Sequence, residues 1–136
     1  KSGMVRVIDA SVAIKWFVLE EAHERALALL EEMLRAPKSF AVPELFYFEL
    51  AHVFHRALPE PSHGQVSLLE RVITFGIQRF ALTQPLLSEI RTLQRRRLSG
   101  YDAAYVGLAK LLNGKWITCD SKAHACVAEL GLSELL

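Results

Sequence analysis

Three aspartates stand where a parallel sheet would bring their side chains together. Asp9 follows a β-branched run at residues 5–8, and Asp120 follows a similar run at residues 116–119. Asp102 begins the helix that leads into the second of these runs. Because parallel strands point the same way and their covering helices run back, a helix that feeds a strand begins at the carboxyl edge of the sheet. All three carboxylates are therefore predicted at the edge where open α/β sheets bind ligands.

Glu49 is a fourth candidate, but the sequence does not fix its position. It lies about a turn and a half inside a predicted helix at residues 44–57, roughly 9 Å from the start at 1.5 Å per residue. On that helix it borders the apolar face. A tilted helix would bring its carboxylate to the other three acids.

The chemistry that suits such a cluster is the binding of a hard cation. Two carboxylates about 4 Å apart repel by about 1 kcal/mol in water and about 4 kcal/mol at an effective dielectric of 20, so clustering without a cation is costly. Oxygen ligands favour Mg²⁺ or Mn²⁺ over zinc, and such ions act on phosphates. Two of them about 4 Å apart can activate water against a phosphodiester. The candidate catalytic and metal-binding residues are Asp9, Glu49, Asp102 and Asp120.

Each aspartate also has a purely structural interpretation. Asp9 and Asp120 can cap the helices that follow them, a role worth about 1 kcal/mol. Residues 99–102 match a capping box in which Asp replaces the usual Glu. Taken singly, capping explains each residue at least as well as catalysis does. It gives no reason, however, for the carboxylates to gather in one place.

Strands that alternate with helices would hold these acids in position. The predicted strands span residues 5–9, 39–42, 77–82 and 116–119. The predicted helices span residues 10–17, 20–35, 44–57, 65–75, 85–97, 101–112 and 121–130. This alternation indicates a three-layer α/β/α fold around a short, mostly parallel sheet of four to five strands. Residues 132–136 leave little chain for a fifth strand.

Length and composition limit the class of protein. The chain has 136 residues and a net charge of +1, so we expect one domain over residues 4–136 and only local basic patches for nucleic acid. Residues 1–3 are interpreted as a cloning remnant ahead of Met4. Cys119 and Cys126 are too few for a disulfide scaffold. With no apolar stretch near the roughly 18 residues of a spanning helix, we expect a cytoplasmic protein without membrane association.

Four motifs, in order along the chain, carry a resemblance to a known family. They are Val-Ile-Asp-Ala-Ser-Val at residues 7–12, Val-Pro-Glu-Leu with Glu-Leu-Ala at residues 42–51, Tyr-Asp-Ala-Ala-Tyr-Val-Gly-Leu-Ala at residues 101–109, and Ile-Thr-Cys-Asp at residues 117–120. Their order and spacing resemble the PIN-domain ribonucleases, and within them the VapC-like toxins of bacterial toxin–antitoxin pairs. One departure is His52, which stands where that family usually has Asn.

The resemblance implies a PIN-like nuclease domain that hydrolyses RNA with Mg²⁺, or with Mn²⁺, and leaves a 5′-phosphate and a 3′-hydroxyl. It also implies a homodimer and a cognate antitoxin that inserts a peptide near the active site. Asp9 and Asp102 would be the principal metal ligands. Asp120 and Glu49 would complete the acidic pocket, where they bind a second ion or orient water.

Further residues would support the pocket or contact a partner. Thr118 and Ser11 would place their hydroxyls beside the acids. The candidate RNA-binding residues are basic: Arg95, Arg96, Arg97 and Lys15. The run of three arginines has an equally good interpretation as solvated cations at a helix C-terminus. Four aromatic residues exceed what one helix face buries, and some of them would line a partner surface while others pack in the core: Trp16, Phe17, Tyr47 and Phe48.

Several other functions fit the sequence less well. A Rossmann nucleotide-binding module would have a glycine-rich turn after the first strand, where Asp9 to Val12 stands instead. A phosphatase with an aspartyl nucleophile usually has a second acid two residues later, and that position is Ser11. A receiver-like signalling module would be revealed by phosphorylation of one aspartate. The main alternative is a non-catalytic PIN-like module that binds RNA or protein, which would be favoured if the four acids failed to converge.

Overall fold

The computed structural model of the chain describes residues 3–58 and 62–136, and the side chains of all of these except residues 62 and 63. Its strands are β1 (Arg6–Ile8), β2 (Phe40–Pro43), β3 (Gln78–Phe80), β4 (Lys115–Thr118) and β5 (Ser133–Leu135). Its α-helices are α1 (Ala10–Ala13), α2 (His23–Arg35), α3 (Leu45–Ala57), α4 (Ser62–Ile73), α5 (Gln84–Gln94), α6 (Gly100–Leu111) and α7 (Ser121–Val127). Short 3₁₀ turns cover Ile14–Trp16, Pro37–Ser39 and Ala128–Leu130.

The strands form one parallel sheet in the order β3-β2-β1-β4-β5. Helices cover both of its faces, which confirms the predicted three-layer α/β/α class. The expectation that the end of the chain leaves little room for a fifth strand is wrong. Three residues are enough, because β5 pairs with β4 from Ser133 opposite Trp116 to Leu135 opposite Thr118.

The core lies on both sides of this sheet. Helix α6 is buried from Ala103 to Ala109, which explains why its sequence is apolar on nearly every face. It packs on β1, β2 and β4, and it lies close to α5. A Cβ atom at Gly107 would lie 3.1 Å from the Cβ atom of Glu89, so glycine permits this close approach. Within the described residues, no helix has the length and apolar character needed to cross a membrane.

Element boundaries depart from the predicted ones where the backbone turns. Helix α2 begins at His23 and not at residue 20, because Ala22 has a left-handed φ of 68°. Strand β2 ends at Pro43, and α3 begins at Leu45, one residue later than predicted. Helix α4 begins at Ser62, three residues earlier than predicted. Part of the predicted break before it, residues 59–61, lies outside the described residues.

The four aromatic residues considered for a partner surface have different environments. Trp16 and Tyr47 are buried in the core, so a partner role for these two side chains is wrong. The helix after β1 changes to a 3₁₀ turn after Ala13, and the Trp16 ring then packs against Phe75 at 6.1 Å. Phe17 is partly buried. Phe48, which is 73% exposed, is the one of the four that faces solvent.

Candidate active site

The three aspartates lie at the carboxyl edge of the sheet, where the strand order changes direction. From β1 the chain adds β2 and β3 on one side, and later β4 and β5 on the other. Asp9 directly follows β1, Asp120 lies two residues beyond β4, and Asp102 is in the first turn of α6. The crevice between β1 and β4 is the position at which doubly wound sheets bind ligands. These three are all the aspartates of the chain.

An open pocket of about 240 Å³ brings the four predicted acids together. Its lining includes Glu49, so helix α3 does present this carboxylate to the other three. The alternative of a module whose acids fail to converge therefore loses its main support. The residues that line the pocket are Asp9, Ala10, Ser11, Glu49, His52, Val53, Asp102 and Asp120.

Asp9 is buried and accepts hydrogen bonds on both carboxylate oxygens. Its Oδ1 accepts from Ser11 N at 3.0 Å, Ser11 Oγ at 2.6 Å and Val12 N at 3.3 Å, so the side chain does cap α1. Its Oδ2 accepts from the indole Nε1 of Trp116 at 3.0 Å. Burial raises the pKa of Asp9, and these hydrogen bonds partly offset that rise. The carboxylate is therefore held rigidly at the base of the pocket.

Asp102 lies where a capping box was considered, but only half of that motif is present. Its backbone N donates to Ser99 Oγ at 3.0 Å. In the part of the chain that the structure describes, the Asp102 carboxylate makes no return hydrogen bond to the Ser99 backbone. Burial raises the pKa of Asp102, the nearby charges of Asp120 and Asp9 raise it further, and a hydrogen bond with the Ser99 side chain opposes part of the rise. The carboxylate is thus available to the pocket.

Asp120 is the most exposed of the four acids, and it also caps a helix. Its Oδ1 accepts from Ala123 N at 3.0 Å at the start of α7. Thr118 is fully buried behind it, and its hydroxyl accepts from Asp120 N at 3.1 Å. Ser11 Oγ lies 3.4 Å from Thr118 Oγ1 and accepts from Cys119 N at 3.0 Å. The two predicted supporting hydroxyls therefore join the turn after β1 to the turn after β4, and of the two only Ser11 lines the pocket.

Glu49 is half-buried and accepts a hydrogen bond from Tyr105 Oη at 2.7 Å. Burial raises the pKa of Glu49, and the charges of Asp9 and Asp102 raise it further, while the Tyr105 bond opposes the rise. The Tyr105 ring stacks on Trp116, with ring centroids 6.3 Å apart and an angle of 15° between the planes. One pair of aromatic rings therefore contacts two of the four acids.

Sequence reasoning assigned no role to Tyr105 or Trp116. Tyr105 follows Asp102 by three residues, a spacing that places both on one side of a helix. Trp116 pairs in register with Val7, two residues before Asp9, so Trp116 and Asp9 point to the same face of the sheet. The first signal was present in the sequence, whereas the second requires the strand register.

The charge of the pocket is not balanced by ion pairs, although the charge of His52 lowers the pKa of Glu49 in part. Among the described residues, the five ion pairs lie elsewhere and none includes one of the four acids. Three of these acids have raised pKa values, which reflects the cost of gathering and burying carboxylates. A divalent cation would remove that cost.

The donor set fits a hard ion that retains some of its water. The acids supply only carboxylate oxygens, and within residues 3–58 and 62–136 no three side chains of the His, Cys, Asp or Glu type lie close enough together to hold one ion by themselves. Mg²⁺ is usually bound by one or two carboxylates together with waters and substrate phosphates, not by an all-protein cage. The pocket therefore offers the type of donor atom that hard divalent ions use.

The predicted RNA-binding cations lie outside the lining of the acid pocket. Lys15 forms an ion pair with Glu20 at 2.8 Å. Arg96 forms one with Glu129 at 3.2 Å. Two cations are exposed and form no ion pair within the described residues: Arg95 and Arg97.

Three solved structures share the fold of this chain. VapC20 from Mycobacterium tuberculosis, a sarcin–ricin loop cleaving toxin, matches with a TM-score of 0.70 and 13% identity over 88% of this chain and 93% of that chain. A toxin–antitoxin complex from Klebsiella pneumoniae matches with a TM-score of 0.67 and 17% identity over 88% and 90%. FitAcB from Neisseria gonorrhoeae matches with a TM-score of 0.71 and 14% identity over 97% and 96%.

The family is shown by the sequence. A comparison with curated protein sequences found no significant match. The family model of the PIN domain matches residues 6–129. This span contains all four acids of the pocket and the strands β1 to β4, and it ends before β5. The chain therefore belongs to the PIN domain family.

Proposed function

We propose that this protein is a metal-dependent endoribonuclease and the toxin of a toxin–antitoxin pair. The observation that carries the proposal is the convergence of four carboxylates on one open pocket, at the edge between β1 and β4. No described lysine or arginine pairs with them. A partly buried acidic cluster without lysine or arginine partners costs stability, and a function that needs a divalent ion explains why that cost is kept.

Asp9 and Asp102 are the residues that would hold the ion. Asp9 is fixed by its four hydrogen bonds, and the Asp102 carboxylate faces the same pocket without a helix-capping bond among the described residues. When bound, Mg²⁺ or Mn²⁺ supplies Lewis-acid activation of water and stabilises charge on a phosphodiester. Glu49 and Asp120 complete the acidic wall and would hold a second ion or orient the attacking water. As the resemblance to the family implies, hydrolysis would leave a 5′-phosphate and a 3′-hydroxyl.

The proposed partners follow from the family and the similar folds. One of the similar structures is a toxin–antitoxin complex, and another is a sarcin–ricin loop cleaving toxin. We propose a cognate antitoxin that covers the acid pocket, and a homodimer as the free toxin. The exposed Arg95 and Arg97 are the cations most accessible to RNA phosphates, since Lys15 and Arg96 are already paired.

The test is digestion of a total RNA pool by the purified protein, with Mg²⁺ and with chelator, followed by mapping of the new ends. We expect cleavage that requires the ion and produces 5′-phosphates at a restricted set of sites. Asp102→Asn, purified in parallel, serves as the control for contaminating nuclease and should be inactive. A single-stranded DNA of matching sequence tests whether the activity is confined to RNA.

Two results would overturn the proposal. Equal cleavage by wild type and Asp102→Asn would assign the activity to a contaminant. If wild type leaves RNA intact but retains it in a binding assay, the non-catalytic module becomes the correct interpretation.

A further inference from the structure

A pair of buried aromatic rings connects two acids that lie on different elements. Trp116, on β4, donates from Nε1 to Asp9 Oδ2 at 3.0 Å. Tyr105, on α6, donates from its hydroxyl to Glu49 Oε1 at 2.7 Å. The two rings stack on one another, and both residues are fully buried. The pair is therefore a rigid support beneath the acid pocket.

The two hydrogen bonds fix groups that would otherwise have freedom to move. Fixing a glutamate side chain costs up to about 2 kcal/mol of conformational entropy. The Tyr105 bond is the only one that the Glu49 carboxylate accepts among the described side chains and backbone groups. Burial raises the pKa of the Tyr105 hydroxyl, and the Glu49 charge raises it further, so the hydroxyl stays protonated and donates. At Asp9, Trp116 holds Oδ2 while the backbone turn holds Oδ1.

We propose that Tyr105 and Trp116 are positioning residues that hold the Glu49 and Asp9 carboxylates at a fixed separation for the divalent ion. This inference rests on the proposed function, because it assigns a purpose to the separation of the two acids. Hydrogen-bond partners of metal-binding carboxylates typically change metal affinity or activity by about 10- to 100-fold when removed.

The chain contains a matched control for each of the two residues. Tyr47 is also buried, and its hydroxyl has no hydrogen-bond partner among the described residues. Trp16 is also buried, and its indole Nε1 likewise has no partner in the described part of the chain. The same substitution at each control removes the same polar atom from a buried ring without touching the acid pocket.

The experiment compares Tyr105→Phe with Tyr47→Phe, and Trp116→Phe with Trp16→Phe. Each protein is titrated with Mn²⁺ in the absence of RNA, and free Mn²⁺ is followed by electron paramagnetic resonance. We expect Tyr105→Phe and Trp116→Phe to bind Mn²⁺ about 10- to 100-fold more weakly than wild type. Both controls should bind as wild type does.

RNA cleavage supplies an independent readout of positioning. Tyr105→Phe should lower kcat and leave KM for RNA within twofold of wild type, because the substitution touches a carboxylate and not the RNA-binding surface. In a Glu49→Gln background, Tyr105→Phe should have little additional effect on Mn²⁺ affinity or kcat, since residues that act through one another are not additive. A purely structural role would give the same loss in both backgrounds.

The outcomes separate this inference from the proposed function. One outcome would overturn the positioning role alone: wild type binds Mn²⁺ and cleaves RNA, and Tyr105→Phe has the same Mn²⁺ affinity and kcat as Tyr47→Phe. A wild type that neither binds Mn²⁺ nor cleaves RNA would overturn the proposed function, and this inference with it. If Trp116→Phe does not fold, because the smaller ring leaves a cavity, the comparison at Tyr105 decides.

Discussion

Replacing Asp102 by asparagine separates a metal ligand from a helix cap. The substitution keeps the volume and leaves the bond from the backbone N to Ser99 Oγ in place. It removes the charge of a carboxyl group whose pKa is raised by burial, by Asp120 and by Asp9. A carboxyl group with a raised pKa in the folded state destabilises the fold when it is ionised. The helix dipole stabilises an ionised acid in the first turn by about 0.3–1 kcal/mol, which offsets part of this cost. We therefore expect the melting temperature of the metal-free variant to equal or exceed that of wild type.

The effect of Mg²⁺ gives the larger and more decisive difference. An ion that binds only the folded state adds RT ln(1 + [L]/Kd), about 2.7 kcal/mol at a hundredfold excess over Kd. For a chain of 136 residues, 1 kcal/mol shifts the melting temperature by about 3.5 °C, so wild type should gain about 9 °C. A variant whose affinity is about a hundredfold lower retains only about 0.4 kcal/mol at the same concentration, which is a shift of about 1 to 2 °C.

The assay is a set of melting curves by circular dichroism, with chelator and with Mg²⁺ at about a hundredfold excess over the wild-type Kd. Glu31→Gln is the matched control, because Glu31 is exposed on α2 and does not line the acid pocket. It should show the full wild-type shift. The reasoning is refuted if Asp102→Asn also shows that shift, because Asp102 would then not be a ligand and its charge would serve only the helix.

Three further predictions concern the pocket acids, the aromatic residues and an exposed arginine. Burial raises the pKa values of three pocket acids. As the pH falls, the folded state therefore takes up protons at a higher pH than the unfolded state does. Lowering the pH from about 8 to about 5 with chelator present should therefore raise the melting temperature, and Mg²⁺ should reduce this trend in the same melting curves. Because Phe48 is exposed, Phe48→Ser should weaken self-association or antitoxin binding in sedimentation experiments without loss of stability. Because Trp16 is buried, Trp16→Ala should lower the free energy of unfolding by about 3–5 kcal/mol in chemical denaturation. Arg95→Glu should raise KM for RNA more than it lowers kcat, and an unchanged KM would remove this arginine from the RNA-binding surface.

The convergence of the three aspartates could be predicted because it depends only on chain direction. A parallel sheet fixes which end of each strand and helix lies at which edge, whatever the exact strand lengths. Asp9, Asp102 and Asp120 thus reach one edge even though the predicted boundaries of several elements are wrong by two or three residues. The fold class follows from the same alternation of strands and helices.

The remaining features depend on tertiary packing, which a single sequence does not display. Glu49 reaches the pocket only because of how α3 lies on the sheet. The contact of Trp116 with Asp9 requires the register of β4 on β1. Trp16 and Tyr47 are buried by elements that are distant in sequence, and helical spacing alone therefore overestimates their exposure.

Helix capping and metal binding are not exclusive interpretations of the aspartates. Asp9 and Asp120 each use Oδ1 to cap a helix, and each still lines the pocket. The cap offsets part of the cost of placing these carboxylates near one another. Asp102 has less compensation among the described residues, because Ser99 caps its helix and the hydrogen bond between the Asp102 side chain and Ser99 lowers the carboxyl pKa only in part. An acid that has a raised pKa, lines a pocket and caps no helix is a candidate functional residue, and Asp102 is therefore the aspartate at which the metal hypothesis is tested most directly.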